Sequence, residues 1–264
     1  RLHASRCQRH CTIINKFVRS SRKMTIAHAD YIAGLAKGLA VLESFDTERQ
    51  RLNATLAAQR ASLTRAAARR HLLTLAHLGY LESDGSFFWL SPRALRLAGA
   101  YLASSRLPRV VQPALNRLAA ETQEVYSAAV LDGDEVVIIA RAAGLSDESP
   151  LLAYGRHIGA RMAAHATSTG RLLLALLPAD ELAHWLKQRR TLPRLTPRTT
   201  TQLREFKVLL AQAAAQDYCV ANDEHELGVH ALAVPLRNAR GTTVGALNVI
   251  MRPGRMSEQV VQGE

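Results

Sequence analysis

The chain has 264 residues, 48% hydrophobic and 21% charged, which marks a globular rather than a disordered protein of one or two domains. No apolar run approaches the roughly 18 residues of a membrane span. Three cysteines exclude a disulfide framework and fit a reducing, cytoplasmic setting. The formal charge of +12 is uneven: residues 1–30 and 31–110 each carry a net +6, and the other 154 are neutral. A basic front and a neutral back is the layout of a nucleic-acid-binding module joined to a domain with another task.

Residues 1–23 show neither helical nor strand period, and residues 1–29 are expected to form a disordered basic tail. A natural start at Met24, the first methionine, would omit most of it. His3, Cys7, His10 and Cys11 match no common zinc spacing, so neither metal nor cofactor is expected. Leu35, Leu39, Leu42 and Phe45 recur at three- and four-residue steps and predict an amphipathic helix over 34–45. Asn53 can cap a short helix over 55–60; residues 61–63 turn, and Thr64 can cap a longer helix that Gly79 stops. Two helices joined by so tight a turn form the helix-turn-helix pattern.

The second of these helices divides into two faces. At 100° per residue, Ala68, His71, Leu75 and Leu78 fall within about 80° and should face a core. Arg65, Ala66, Arg69 and Arg70 span about 140° on another side, in the first two turns that a recognition helix presents to the major groove. Arginine there can grip guanine with two parallel bonds or clamp phosphate, with Ala66 left for an apolar base contact. A solvated arginine face is the plainer alternative. Residues 80–82 and 87–90, around an Asp84-Gly85 turn, predict a hairpin whose aromatics should pack on the three helices, the wing of a winged helix. The DNA-binding domain is thus placed at 30–91, and a linker helix at 92–107 that starts at Ser91-Pro92 and ends at Pro108.

The back domain, 108–264, reads as a helix over 109–122 and strands 124–131 and 135–141 about an Asp132-Gly133 turn. After a loop at 143–157 come helices near 168–177, 179–189 and 199–215, then strands 217–222, 230–236 and 243–250. Antiparallel strands with helices grouped between them predict an α+β fold. Phosphate loops and nucleophile elbows are absent; His225-Glu226-Leu-Gly-Val-His230 is one residue too long for the zinc motif H-E-x-x-H. A metal-dependent hydrolase carrying a DNA-binding domain is therefore only the rival reading. Arg161, His165, Thr167, Ser168 and Thr169 converge at the start of a helix, whose free N–H groups suit a carboxylate. They read equally well as an N-cap with surface polar groups.

Several stretches carry a family resemblance: Asp30-Tyr-Ile-Ala-Gly-Leu-Ala-Lys-Gly-Leu-Ala40, Leu63-Thr-Arg-Ala-Ala-Ala-Arg-Arg70, Leu78-Gly-Tyr-Leu81 and Phe88-Trp-Leu90 in front, with Ala164-His-Ala-Thr-Ser-Thr-Gly170, Asp217-Tyr-Cys219, Glu224-His-Glu-Leu-Gly228 and Ala246-Leu-Asn248 behind. On these the chain resembles the IclR-type bacterial transcription regulators, in the branch that controls aromatic-acid catabolism. The resemblance implies a winged helix-turn-helix, a linker helix and an effector-sensing α/β domain with a curved antiparallel sheet. It implies a double-stranded DNA operator and a homodimer or dimer of dimers; for an activator, RNA polymerase is a candidate partner. Carried over by position, the effector pocket would include Ser168, Thr169, Ala221, Ala231, Asn248 and Ile250. Relatives that bind small keto acids tend to place Asp, Cys, Ser and Ser at the last four, so the less polar set here implies a larger, flatter acid. The implied effector is 4-hydroxybenzoate, its carboxylate held near residues 168–170 and by Arg161, its phenol near Asn248 or Glu224. The runner-up is a regulator or repressor answering protocatechuate or β-ketoadipate. Relatives usually carry a final helix that the chain to Glu264 does not show, so its end is expected to be either truncated or divergent.

Overall fold

Asn53 accepts hydrogen bonds from the N–H groups of Thr55 and Leu56 at 3.1 and 3.0 Å, and Thr64 accepts one from Ala67 N–H at 3.2 Å. These two caps satisfy donors that a helix start leaves open, and they set the helix-turn-helix. The structure, a computed structural model, describes residues 26–46, 49–144 and 157–251. The expected basic tail, its His/Cys run and the truncated or divergent end lie largely outside the described residues.

The chain divides after Ser104 into two compact units. The first contains α1 (Ala33–Leu42), α2 (Ala54–Arg60) and α3 (Arg65–His77), then β1 (Leu81–Ser83) and β2 (Phe88–Leu90), a 3-10 turn over Pro92–Ala94, and α4 (Leu95–Ser104). Its core holds Val41, Phe45, Leu52, Ala57, Ala68, Leu72, Leu75, Leu81 and Phe88. Two expectations need correction. Leu35 and Leu39 are exposed, because α1 meets its neighbours through Val41 on the opposite side. On α3 the core face centres on Leu72, and Leu78 is exposed at the helix end.

The linker helix is also broken where the sequence suggested continuity: α4 stops at Ser104, and α5 (Arg106–Thr122) begins two residues later. Pro108 does not end a helix; it is the third residue of α5, where a missing N–H leaves no bond unmade. Pro113, deeper in α5, deletes one intrahelical bond.

The second unit continues with β3 (Val125–Asp132), β4 (Glu135–Ala142), β5 (Arg161–Ala163), α6 (Ser168–Ala175), α7 (Ala179–Lys187), α8 (Leu203–Gln216), β6 (Cys219–Asn222), β7 (His230–Arg237) and β8 (Thr243–Met251). The six strands form one antiparallel sheet in the order β5-β4-β3-β8-β7-β6. Val111 and Leu115 of α5 pack with Ala128, Ile139 and Ala140 in one core. Leu172 and Leu174 of α6, with Phe206 and Leu210 of α8, pack with Ala129, Val136, Ala233 and Ala246 in another. β5 is too short for its period to show in the sequence. The helix expected from residue 199 begins only at Leu203, because residues 188–202 form a loop closed by a Thr191–Gln202 bridge and a Leu192 N–H to Thr201 carbonyl bond of 2.9 Å.

α6 lies against β3, β4, β6, β7 and β8, and its first turn touches the 3-10 turn Ala164–Ala166. A side chain at Gly170 would put its Cβ 2.3 Å from both Cα and O of Ala164. Gly170→Ala is therefore expected to destabilise the unit by about 1–3 kcal/mol, the usual cost of overpacking, read as a lower melting temperature by circular dichroism.

Candidate functional site

Each unit offers one surface with chemistry. In the first, Arg65, Ala66, Arg69 and Arg70 are all exposed on α3, and among the described residues none of the three arginines has an acidic partner. Thr64, also expected at this surface, has its hydroxyl occupied as the α3 cap. The hairpin behind α3 is stiffened at its tip. Asp84 Oδ1 accepts from Phe87 N–H at 2.8 Å and Ser86 N–H at 3.0 Å, and these bonds hold its carboxyl below the usual range. Arg51 pairs with Asp84 and lies over the rings of Trp89 and Phe87, at 4.7 and 5.6 Å from their centroids. Phe88 alone of the wing aromatics is buried in the three-helix core.

In the second unit a small cavity of about 30 Å³ lies between the sheet, the start of α6 and the segment after β6. Of the positions expected there, Ser168, Thr169, Ala221, Glu224, Ala231, Asn248 and Ile250 line it. Three do not. Arg161 is half-exposed on β5, bonded to Glu135 Oε2 at 2.6 Å and close to Asp132 at 3.5 Å. His165 is buried, with Nε2 2.9 Å from the Pro193 carbonyl, where it ties down the 188–202 loop. Gly170 permits the backbone contact described above, and its N–H already donates to Thr167 Oγ1 at 3.1 Å.

The sequence did not single out Ser127, Ile138, Met162, Ala166, His225 and Val229 as lining, although it did place Thr167 at the helix start. One signal was available. Ser127 and Asn248 are polar residues in otherwise apolar strands; the β3–β8 register pairs them, and Ser127 Oγ–H donates to Asn248 Oδ1 at 2.7 Å. Ser168 is 1% exposed, and among the described residues its hydroxyl has no hydrogen-bond partner. With Ser168 and Thr169 in the first turn of α6, their N–H groups also have no acceptor within the helix.

Behind this wall lies Arg171, 3% exposed, paired with Glu224 and with its Nε unpartnered. Glu224 is itself clasped by its backbone: its carbonyl accepts from Thr199 Oγ1 at 2.6 Å. The Arg171 charge offsets the single carboxylate that lines the cavity. Cys219, beside this pair, is pushed up to about 11 by burial, so at neutral pH it is a packing thiol. Among the described residues no group of three or more His, Cys, Asp or Glu could hold a metal ion. His225 and His230 do not share a helix: His225 lies in the loop and His230 begins β7. Among the described residues no helix is long and apolar enough to cross a membrane.

A winged helix-turn-helix in one unit and, in the other, a small cavity with apolar walls and hydroxyl and N–H donors at a helix start are the parts of a DNA-binding regulator with an effector-binding domain. Comparison with known proteins supplies the family. Residues 34–85 match the IclR helix-turn-helix domain, and residues 99–263 match the bacterial transcriptional regulator IclR C-terminal domain. The chain belongs to the IclR family of bacterial transcriptional regulators. It is 47% identical to the Pca operon regulatory protein of Acinetobacter baylyi (91% of this chain, 86% of that one) and 47% identical to the p-hydroxybenzoate hydroxylase transcriptional activator of the same organism (87% and 85%). Its structure is similar to that of a double mutant of the PobR inducer-binding domain from Acinetobacter in complex with 3-hydroxybenzoic acid, with a TM-score of 0.55 and 40% identity over 61% of this chain and 91% of that one. These relatives are named as regulators, not as enzymes.

Two outcomes test the packing of this site. Glu224→Ala leaves Arg171 buried and unpaired, and is expected to cost about 3–5 kcal/mol of stability, measured by urea unfolding. Burial lowers the His165 pKa below its usual 6.5, so the unfolded chain takes the proton first. This contribution is intact above about pH 6.5 and declines as pH falls. His165→Gln should therefore lessen the drop in melting temperature on going from about pH 7 to pH 5.5.

Proposed function

We propose that the protein activates genes of aromatic-acid catabolism in response to 4-hydroxybenzoate. The observation that carries this reading is the cavity: apolar walls, with unsatisfied donors at the α6 start and a Ser127–Asn248 pair among the lining residues. The effector carboxylate accepts from the N–H groups of Ser168 and Thr169 and from the Ser168 hydroxyl, within the positive field of a helix start. The phenol meets the Ser127–Asn248 pair. Neither Arg161 nor the Gly170 N–H has a part in this arrangement, since both are bonded elsewhere. The likeness to the p-hydroxybenzoate hydroxylase activator supports the choice of acid. A second reading, a regulator or repressor answering protocatechuate or β-ketoadipate, draws on the equal likeness to the Pca operon regulatory protein.

On DNA, Arg65, Arg69 and Arg70 grip the operator, Ala66 takes an apolar base contact, and Thr64 starts the helix that carries them. Exposed apolar residues of the first unit support a homodimer or dimer of dimers: Ile32 is 68% exposed, Leu35 60% and Leu95 71%, with Tyr31, Leu39, Leu97 and Tyr101 also exposed. The effector acts only through a difference in affinity between two arrangements of the protein, which the segment 92–106 joining the units carries. The activating arrangement is the one that recruits RNA polymerase.

Thermal melting against a panel of acids tests the effector. At a hundredfold excess over its dissociation constant, 4-hydroxybenzoate should stabilise the protein by about 2.7 kcal/mol, while benzoate and pyruvate should not. A shift with protocatechuate alone would favour the second reading. Arg69→Ala should weaken binding to the protein's own promoter DNA roughly 5- to 150-fold, the loss of one bidentate base contact, and leave the melting shift unchanged.

A further inference from the structure

The second unit is neutral only as a sum. Residues 187–207 hold seven Lys/Arg and one acid, Glu205, so the rest of the chain beyond residue 110 is correspondingly acidic. Within this segment Arg189 is occupied by Asp134 and lies over the Trp185 ring, Arg198 reaches Asp223 at 3.8 Å, and Arg194 donates to the Pro197 carbonyl. Lys187, Arg190, Arg204 and Lys207 are exposed and, among the described residues, have no partner.

The backbone gathers them. The Thr191–Gln202 bridge folds the loop back so that Arg190, three residues past the end of α7, returns to the start of α8, where Arg204 and Lys207 follow at three-residue spacing. Arg204 stands in the first turn of α8, where the helix dipole disfavours a cation. Gln202 occupies the cap position without making a side-chain cap bond. Four exposed cations with one acid, Glu205, among them, and one of the four set against a helix dipole, are what an anionic partner, not the fold, would stabilise.

We propose that this α7–α8 face is a second DNA contact, gripping the phosphate backbone without regard to sequence. Its composition distinguishes it from a protein-docking surface. Protein interfaces centre on aromatic anchors, yet no aromatic is exposed between residues 187 and 208, since Phe206 is buried. Arg, Lys, Thr and Gln side chains, as in Thr200, Thr201 and Gln202 here, are the usual donors to phosphate.

The full chain carrying Arg190→Gln and Arg204→Gln is to be compared with a charge-matched control, Arg109→Gln and Arg117→Gln. The probe is a duplex of arbitrary sequence about 40 base pairs long, titrated at several salt concentrations. The α7–α8 pair should reduce the dependence of log affinity on log salt by about 1.8, two phosphate contacts at about 0.9 each, and the control pair should leave it unchanged. An unaltered slope overturns the proposal, as does an equal loss in both pairs, which would reflect net charge alone. Loss of poly-glutamate binding with duplex binding intact also overturns it and assigns the face to an acidic protein surface.

Discussion

The effector-binding unit is arranged about one close approach, that of the first turn of α6 to the backbone of Ala164. Only the absence of a side chain at Gly170 allows it. Because the contact is made, Thr167 can turn its hydroxyl to the Gly170 N–H and begin the helix, and Ser168 and Thr169 are left at the cavity wall with donors to offer. One turn further, the same helix carries Arg171 into the interior to meet Glu224. A single small residue thus places the polar end of the cavity, its charge balance and the fastening of the segment after β6.

That fastening joins pieces distant in sequence. Glu224 is held through its side chain by Arg171 and through its carbonyl by Thr199, while His165 holds the 188–202 loop at Pro193. The segments around the cavity are thus fastened by polar bonds as well as by the apolar packing of Val229 on Ala231 and Ile250. Such bonds contribute little net stability when intact, but they are costly to leave half made. The arrangement suits a site whose neighbourhood must hold one shape for a ligand and still have another to exchange with.

Charge is handled differently in the two units. In the first, the arginines of α3 have no acidic partner among the described residues, and the wing behind them is braced by Arg51 on its own aromatics and on Asp84. In the second, Arg161, Arg189 and Arg237 are paired with acids, while among the described residues Lys187, Arg190, Arg204 and Lys207 near the α7–α8 turn, like Arg106, Arg109 and Arg117 on α5, are in no ion pair. A summed charge of zero over the second unit concealed this separation.

What the sequence determined by itself was whatever depends on near neighbours. Caps at Asn53 and Thr64, turns at Gly79 and Gly133 and the two-faced third helix all rest on residues within a turn or two of one another. The expected break at Pro108 failed because a proline in the first turn of a helix removes no intrahelical bond, and the sequence did not show that α5 starts just before it, at Arg106. The cavity was legible in part: the helix start and the family positions were found, but Arg161 was assigned to it on nearness in sequence and proved to belong to Glu135. Only tertiary structure could decide that Ser127 faces Asn248, 121 residues away, or that Arg171 meets Glu224 across 53. Burial makes those partners matter, and burial is a property of strands and helices brought together from afar, which no local pattern encodes.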